Sequence, residues 1–195
     1  MQLRPYLCPL IITGLLLLPM LMPSTWQTAL EYQRQAIGGG EPWRLVSGHL
    51  MHLGWGHLLM NLLGFWLIWQ LFLRQDSRLS VCIGGLLLLT LGISLGLYLF
   101  SPGIAWYRGL SGVLHGVLLW SLLREMKPHP LSSSILLGLL MAKLLWEQTS
   151  GPIPGSETVA QGRVIVDAHL YGGLSGALLW VIGLAIGKYR REEVE

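Results

Sequence analysis

Apolar residues run almost unbroken through six stretches of the chain, at about 6–23, 50–73, 79–100, 110–123, 131–147 and 167–187. Lipid offers a backbone no hydrogen-bond partner outside its own segment, so continuous apolar runs of this kind predict membrane-spanning helices. At about 20 residues per span, six spans take about 120 residues and leave about 75 for every loop and both ends. That is too little for a separate soluble domain of ordinary size. The expected fold is therefore an all-α membrane protein, a bundle of six transmembrane helices forming one domain over residues 1–195. The first run follows Arg4 and could be mistaken for a secretory signal peptide. No A-x-A cleavage site follows it, and Met22-Pro23-Ser24-Thr25-Trp26 suits an uncleaved helix with Trp26 as an interfacial anchor. The longest loop is 24–49, with Gly38-Gly39-Gly40; a second, 148–166, holds Gly151, Pro152, Pro154 and Gly155 and is expected to be non-helical.

Composition narrows the class. Of the 195 residues 52% are apolar and 12% charged, with a mean hydropathy of +0.55, whereas soluble domains carry about 25% charged residues. Disorder, a coiled coil and a nucleic-acid-binding module are excluded. The net charge of +3 comes from basic residues scattered singly between apolar runs, not gathered in a patch. Cys8 and Cys82 both fall inside apolar runs and are expected to be buried thiols. With a cytoplasmic N-terminus, the inner segments hold Arg4, Arg74, Arg78, Arg124, Lys127, Lys188, Arg190 and Arg191. The outer segments hold Arg34, Arg44, Arg108 and Arg163, and Lys143 lies within a span. Eight against four favours both ends inside. Spans two, four and six then run inward from the outer surface, and residues near their starts share one depth.

Polar groups gather at that depth. Each is a functional hypothesis by default, because an intramembrane polar group needs a partner. Span two opens with His49, His52, His57 and Asn61; His57 and Asn61, four apart, share a helical face, and His52 lies somewhat off it. Span four opens Arg108-Gly109-Leu110-Ser111-Gly112-Val113-Leu114-His115-Gly116, and span six Asp167-Ala168-His169-Leu170-Tyr171-Gly172-Gly173-Leu174-Ser175-Gly176. Gly112/Gly116 and Gly172/Gly176 are small-xxx-small pairs that let two helix backbones meet in lipid. If those faces pack together, Ser111 and His169 share a gap in which the imidazole can take the serine proton. His57, Asn61 and the Ser111 amide could then supply donors for an oxyanion. Span four is short: its apolar run rises about 21 Å against a hydrocarbon core of about 30 Å, which would bury Ser111 below the outer surface.

Alone, each residue has a plainer reading. Ser111, like Ser175, would be a helix-packing serine, and His169 a packed polar residue. Asp167 is expected to cap its helix, His49 to be interfacial and His129 to lie in a loop. Lys143 and Glu147, four apart, are expected to pair or snorkel. His115 could stack on His169 or compete as a base for Ser111; stacking is preferred. A haem carrier using histidines of neighbouring helices is a competing reading, but it leaves Ser111 and the glycine pairs unexplained.

Together the residues resemble the rhomboid family of intramembrane serine proteases. The matching elements are Trp43-Arg44, the His52…His57…Asn61 spacing, Gly109-Leu110-Ser111-Gly112 as the G-x-S-G, and Ala168-His169-x-x-Gly172-x-x-x-Gly176. The resemblance implies a six-helix core with Ser111 as nucleophile and His169 as general base and acid. It implies an oxyanion hole of His57, Asn61 and the Ser111 amide, with His52 holding water and the polar network and Trp43 and Arg44 in a bracing outer loop. Substrates would be single-span membrane proteins cut near the outer face, and the protein would sit in a bacterial inner membrane. Neither cofactor, metal nor nucleic acid is implied, and nothing in the sequence sets an oligomeric state. Position 115, often a bulky aromatic in the family, is His115 here. The block Gly109–Gly116 with the small size resembles the rhombosortase subgroup, whose members are thought to process C-terminal Gly-Gly-type sorting tails. A catalytically inactive, client-binding relative is the alternative.

Overall fold

The structure, a computed structural model, describes residues 4–74 and 79–192. Among the described residues the longer helices are α1 (Leu7–Met20), α2 (Trp55–Ile68), α3 (Leu79–Phe100), α4 (Ser111–Glu125), α5 (Pro130–Ser150) and α6 (Val166–Glu192). A π-helical turn, Trp69–Leu73, continues α2. Among the described residues, four segments are long and apolar enough to cross a membrane: Trp55–Leu73, Cys82–Phe100, Pro130–Ser150 and Val166–Ile186. The other two expected spans are shorter, α1 with 14 residues and α4 with 15. Arg78 lies outside the described residues, as do the side chains of Arg4, Lys188, Arg190 and Arg191, so part of the charge asymmetry has no structural counterpart.

The helices are inverted relative to those of a soluble protein. Leu59, Leu63, Leu67 and Leu71 line the exposed side of α2 and its continuation, while His57, Asn61 and Phe65 face inward. On α3, Leu87, Leu91, Leu95 and Leu99 are exposed and Leu89, Ile93, Leu97 and Ser94 buried. Leucine outside and histidine inside is the arrangement a bilayer selects. Helix α4 sits at the centre, against α2, α3, α5 and α6. Protein rather than lipid therefore surrounds most of it.

Several boundaries differ from expectation. Helix α2 begins at Trp55, five residues later than the apolar run suggests, because Gly54 is fully extended (φ −170°, ψ 178°). Residues 49–54 are thus irregular, and His52 precedes the helix. His49 is not interfacial but wholly buried: its Nε2–H donates to Ser94 Oγ (2.9 Å), and Ser94 donates to the Leu45 carbonyl (2.6 Å). The loop 24–49 carries short helices at Ser24–Leu30, Arg34–Gly38 and Arg44–Ser47. A two-residue strand there, β1 (Tyr32–Gln33), pairs antiparallel with β2 (Trp106–Tyr107). The loop 148–166 is not wholly non-helical, since a short helix, Ser156–Ala160, forms between Gly155 and Gln161, both at positive φ. Cys8 and Cys82 are joined in a disulfide rather than free, because α1 and α3 bring them to the same level.

Candidate active site

Construction of the site starts at Gly109. Its φ of +134° is open to glycine, and a Cβ there would lie 2.6 Å from His57 Cε1. The Gly109 N–H donates to the Gly48 carbonyl (3.2 Å), and its own carbonyl accepts from Tyr107 Oη (2.5 Å). Burial holds the Tyr107 phenol above its ordinary pKa, so it remains a donor. This turn delivers Ser111 as the first residue of α4, where the helix leaves its leading N–H groups without intrahelical acceptors.

Helices α4 and α6 meet backbone to backbone. An added Cβ would lie 2.6 Å from the Ala168 carbonyl oxygen at Gly112, 2.7 Å from that of Gly172 at Gly116, and 2.2 Å from that of Gly116 at Gly176. At Gly172 it would lie only 1.9 Å from the Gly112 oxygen. The two small-xxx-small pairs therefore face each other, as their spacing predicts. At this contact Ser111 Oγ and His169 Nε2 are 2.9 Å apart. His169 is 5% exposed.

The other imidazole nitrogen has a partner that sequence reasoning missed. His169 Nδ1 lies 2.9 Å from Glu147 Oε2, and the second oxygen of Glu147 accepts from Lys143 Nζ at 2.6 Å. The expected i,i+4 pair on α5 exists, yet its carboxylate also reaches across to α6. Asp167 does not cap α6; it accepts a 2.5 Å hydrogen bond from Ser101 Oγ, which also lies 2.9 Å from Tyr171 Oη. His115 stacks on His169, ring centroids 4.2 Å apart at 14°, and its Nδ1–H points to the Ser111 carbonyl at 2.7 Å. It faces the main chain of Ser111, not the hydroxyl, so the stacking alternative is the one adopted.

Across the gap, His57 lies against Gly109. Its Nδ1 accepts from the Leu53 N–H at 3.4 Å, which puts the ring proton on Nε2 as a donor. Asn61, one turn on, is buried with its Nδ2 unpartnered. His52 donates from Nδ1 to the Leu50 carbonyl (3.2 Å) and packs edge-on to His57 at 5.0 Å, leaving a buried Nε2 acceptor. Trp43 and Arg44 stand apart from this cluster. Trp43 is half exposed, with Nε1 3.4 Å from the Ala29 carbonyl. Arg44 is buried and ties the loop together through Glu41 and the carbonyls of Thr28 and Glu31. Ser175 packs on Gly92 of α3, as a packing serine should.

His115, Glu147 and His169 each offer a ligand atom within 4.8 Å of the others. The two rings are parallel, so their in-plane lone pairs do not converge on one ion, and both nitrogens of His169 already have partners. Stacked rings in contact also leave no room for a macrocycle between them, so the haem reading is not favoured. What the arrangement can do is move a proton from a hydroxyl to an imidazole, with His57 packed on the Gly109 turn that delivers the hydroxyl and Asn61 one helical turn further along α2.

No curated protein matches the chain. The Rhomboid domain family matches it over residues 39–186, about three quarters of its length, a stretch holding Ser111, His169, His57, Asn61 and both glycine pairs. Membrane-length helices, an inward-facing polar cluster and this match together identify the chain as a member of the rhomboid family, whose members are serine intramembrane proteases.

Proposed function

We propose that this protein is an intramembrane serine endopeptidase in which Ser111 is the nucleophile and His169 the general base and acid. The observation that carries the reading is the 2.9 Å contact between Ser111 Oγ and His169 Nε2, made by residues of two helices in backbone contact. Ser111 Oγ attacks the scissile carbonyl carbon while its proton passes to His169 Nε2, and the carbonyl π pair becomes an oxyanion. Donors from His57 Nε2, Asn61 Nδ2 and the Ser111 amide receive it; losing one such donor costs roughly 10²–10³ in rate. Collapse of the intermediate breaks the C–N bond, the leaving amine takes the proton from Nε2, and an acyl-Ser111 ester remains. Water then attacks the ester, giving its proton to His169, which returns it to Ser111.

The substrates are single-span membrane proteins cut near the outer face, with C-terminal Gly-Gly-type sorting tails of exported proteins as the narrower candidate. The whole chain forms one domain of six spans with both ends in the cytoplasm of a bacterial inner membrane, the site opening outward. Fluorophosphonate labelling of the purified protein tests the reading. Ser111 should label covalently, and Ser111→Ala and His169→Ala should each abolish both labelling and cleavage of a single-span reporter. Turnover retained in either variant would remove the proposal; absent labelling of the native protein would favour an inactive, client-binding relative.

A further inference from the structure

We infer that Glu147 is a positioning residue for His169, completing a Ser111–His169–Glu147 relay drawn from α4, α6 and α5, with Lys143 as the counter-ion that fixes the orientation of the carboxylate. The inference rests on the proposed proteolytic role of Ser111 and adds a third residue to it. Glu147 is 3% exposed, and a buried carboxylate without partners for both oxygens is costly. Here the partners are different in kind. Oε1 lies 2.6 Å from Lys143 Nζ and Oε2 2.9 Å from His169 Nδ1. An ionised carboxylate only accepts and an ammonium only donates. The Nδ1 of His169 must therefore carry the proton, which leaves Nε2 with its lone pair 2.9 Å from Ser111 Oγ. That is the tautomer a general base requires.

The charged and titratable groups that act on His169 are His115 on α4, Lys143 and Glu147 on α5, and His57 on α2. Glu147 is the one anion among them. It opposes the positive charge that His169 acquires when it takes the serine proton, and it keeps its own charge throughout, since Nδ1–H stays on the ring. Lys143 has a second consequence. Because it can only donate, it compels whatever occupies position 147 to present an oxygen on its side.

That consequence makes the role testable with an isosteric change. In Glu147→Gln, Lys143 takes the amide oxygen and turns the NH₂ toward His169 Nδ1. The amide then donates to Nδ1 and the ring proton moves to Nε2, where it faces the Ser111 hydroxyl. The base is lost although the shape is kept. Cleavage of a single-span reporter should fall by about 10³–10⁴-fold, as when a serine-protease histidine is held in the wrong tautomer. Adding Lys143→Met removes the constraint, so the amide can turn and accept from Nδ1–H. The double variant Lys143→Met/Glu147→Gln should then regain at least about tenfold over Glu147→Gln, a rescue that a merely space-filling role for Glu147 does not produce. Nitrogen-15 NMR of histidine-labelled protein gives an independent readout, His169 being assigned by its disappearance in His169→Ala. The native resonances should be those of an Nδ1–H, Nε2-acceptor ring.

A Glu147→Gln variant within about tenfold of native activity would overturn the inference. So would a folded Glu147→Gln whose loss Lys143→Met does not relieve, or a native His169 carrying its proton on Nε2. Failure of the underlying reading looks different: the native protein would then show no cleavage that depends on Ser111, whatever stands at 147.

Discussion

Replacing Gly172 by alanine tests what holds Ser111 and His169 together. The added methyl would lie 1.9 Å from the carbonyl oxygen of Gly112 and 2.8 Å from its carbon. A carbon–oxygen contact needs about 3.3 Å, so about 1.4 Å must be found. Neither neighbour is the end of a flexible side chain; both are backbone in the middle of packed helices, so α4 and α6 must separate. Gly112 adjoins Ser111, and Gly172 lies one turn from His169, so the separation acts directly on the 2.9 Å Ser111–His169 contact. If the whole shift falls along that line the distance becomes about 4.3 Å, well beyond the reach of a hydrogen bond. A misplacement of about 1 Å at reacting atoms costs about 10²-fold, and the overpacking itself costs about 1–3 kcal/mol of stability. The neighbouring Gly173→Ala is the control. Its methyl would meet only leucine side-chain ends, Leu144 Cδ1 at 3.1 Å and Leu119 Cδ1 at 3.6 Å, and these can yield. Reporter cleavage in proteoliposomes, fluorophosphonate labelling and the thermal midpoint in detergent should be measured on both variants. Gly172→Ala should lose at least about 10²-fold in cleavage and label slowly, while Gly173→Ala stays within about threefold of native. A folded Gly172→Ala cleaving at the native rate, or a Gly173→Ala that falls as far, would refute the idea that backbone contact sets the distance.

Two further outcomes are expected. Asn61→Ala should lower kcat by roughly 10²–10³-fold with little change in KM, since its unpartnered Nδ2 would serve only the developing oxyanion; an unchanged kcat would remove Asn61 from that role. His49, far below its ordinary pKa at about 3 because it is wholly buried, should make the fold acid-sensitive. With the folded value below the unfolded one of about 6.5, its contribution is complete above about pH 6.5 and lost as pH falls toward 3. At pH 5 that is about 2 kcal/mol, so His49→Gln should flatten the fall of the thermal midpoint between pH 6.5 and 5, and an unchanged slope would contradict the assignment.

The pairing of Ser111 with His169 was legible because it depends on something a sequence can display. Two backbones can touch in lipid only where side chains are missing, and Gly112/Gly116 and Gly172/Gly176 mark that register on both helices. The limits of α3 were legible for a similar reason, since nothing interrupts its apolar run. Glu147 was not. At i,i+4 from Lys143 it reads as a closed pair, and which face of α5 looks toward α6 is a tertiary fact. One signal was available: a carboxylate has two oxygens, Lys143 satisfies one, and at that depth the other needs a donor as well. The start of α2 was misplaced because the residues before Trp55 are as apolar as a helix, while the extended Gly54 breaks the helical geometry. The Cys8–Cys82 bond was illegible because apolar surroundings give burial but not the depth at which two helices meet.

The three helices that carry the proposed relay are held to one another by different means, and this divides the consequences of change. Between α4 and α6 the contact is backbone on backbone, so the Ser111–His169 distance has no compliance to absorb an added atom. Helix α5 joins through a separate apolar cluster of Leu119, Leu122, Leu140 and Leu144, whose side chains can readjust their rotamers. Ser111 and His169 are thus fixed rigidly, while the Glu147 carboxylate is held through deformable packing and two hydrogen bonds. A change of packing on α5 should therefore alter how well His169 is oriented before it alters whether Ser111 can reach it. The glycine face of α4 and α6 should tolerate no added carbon at all, because there the same atoms that make the fold also set the distance between Ser111 and His169.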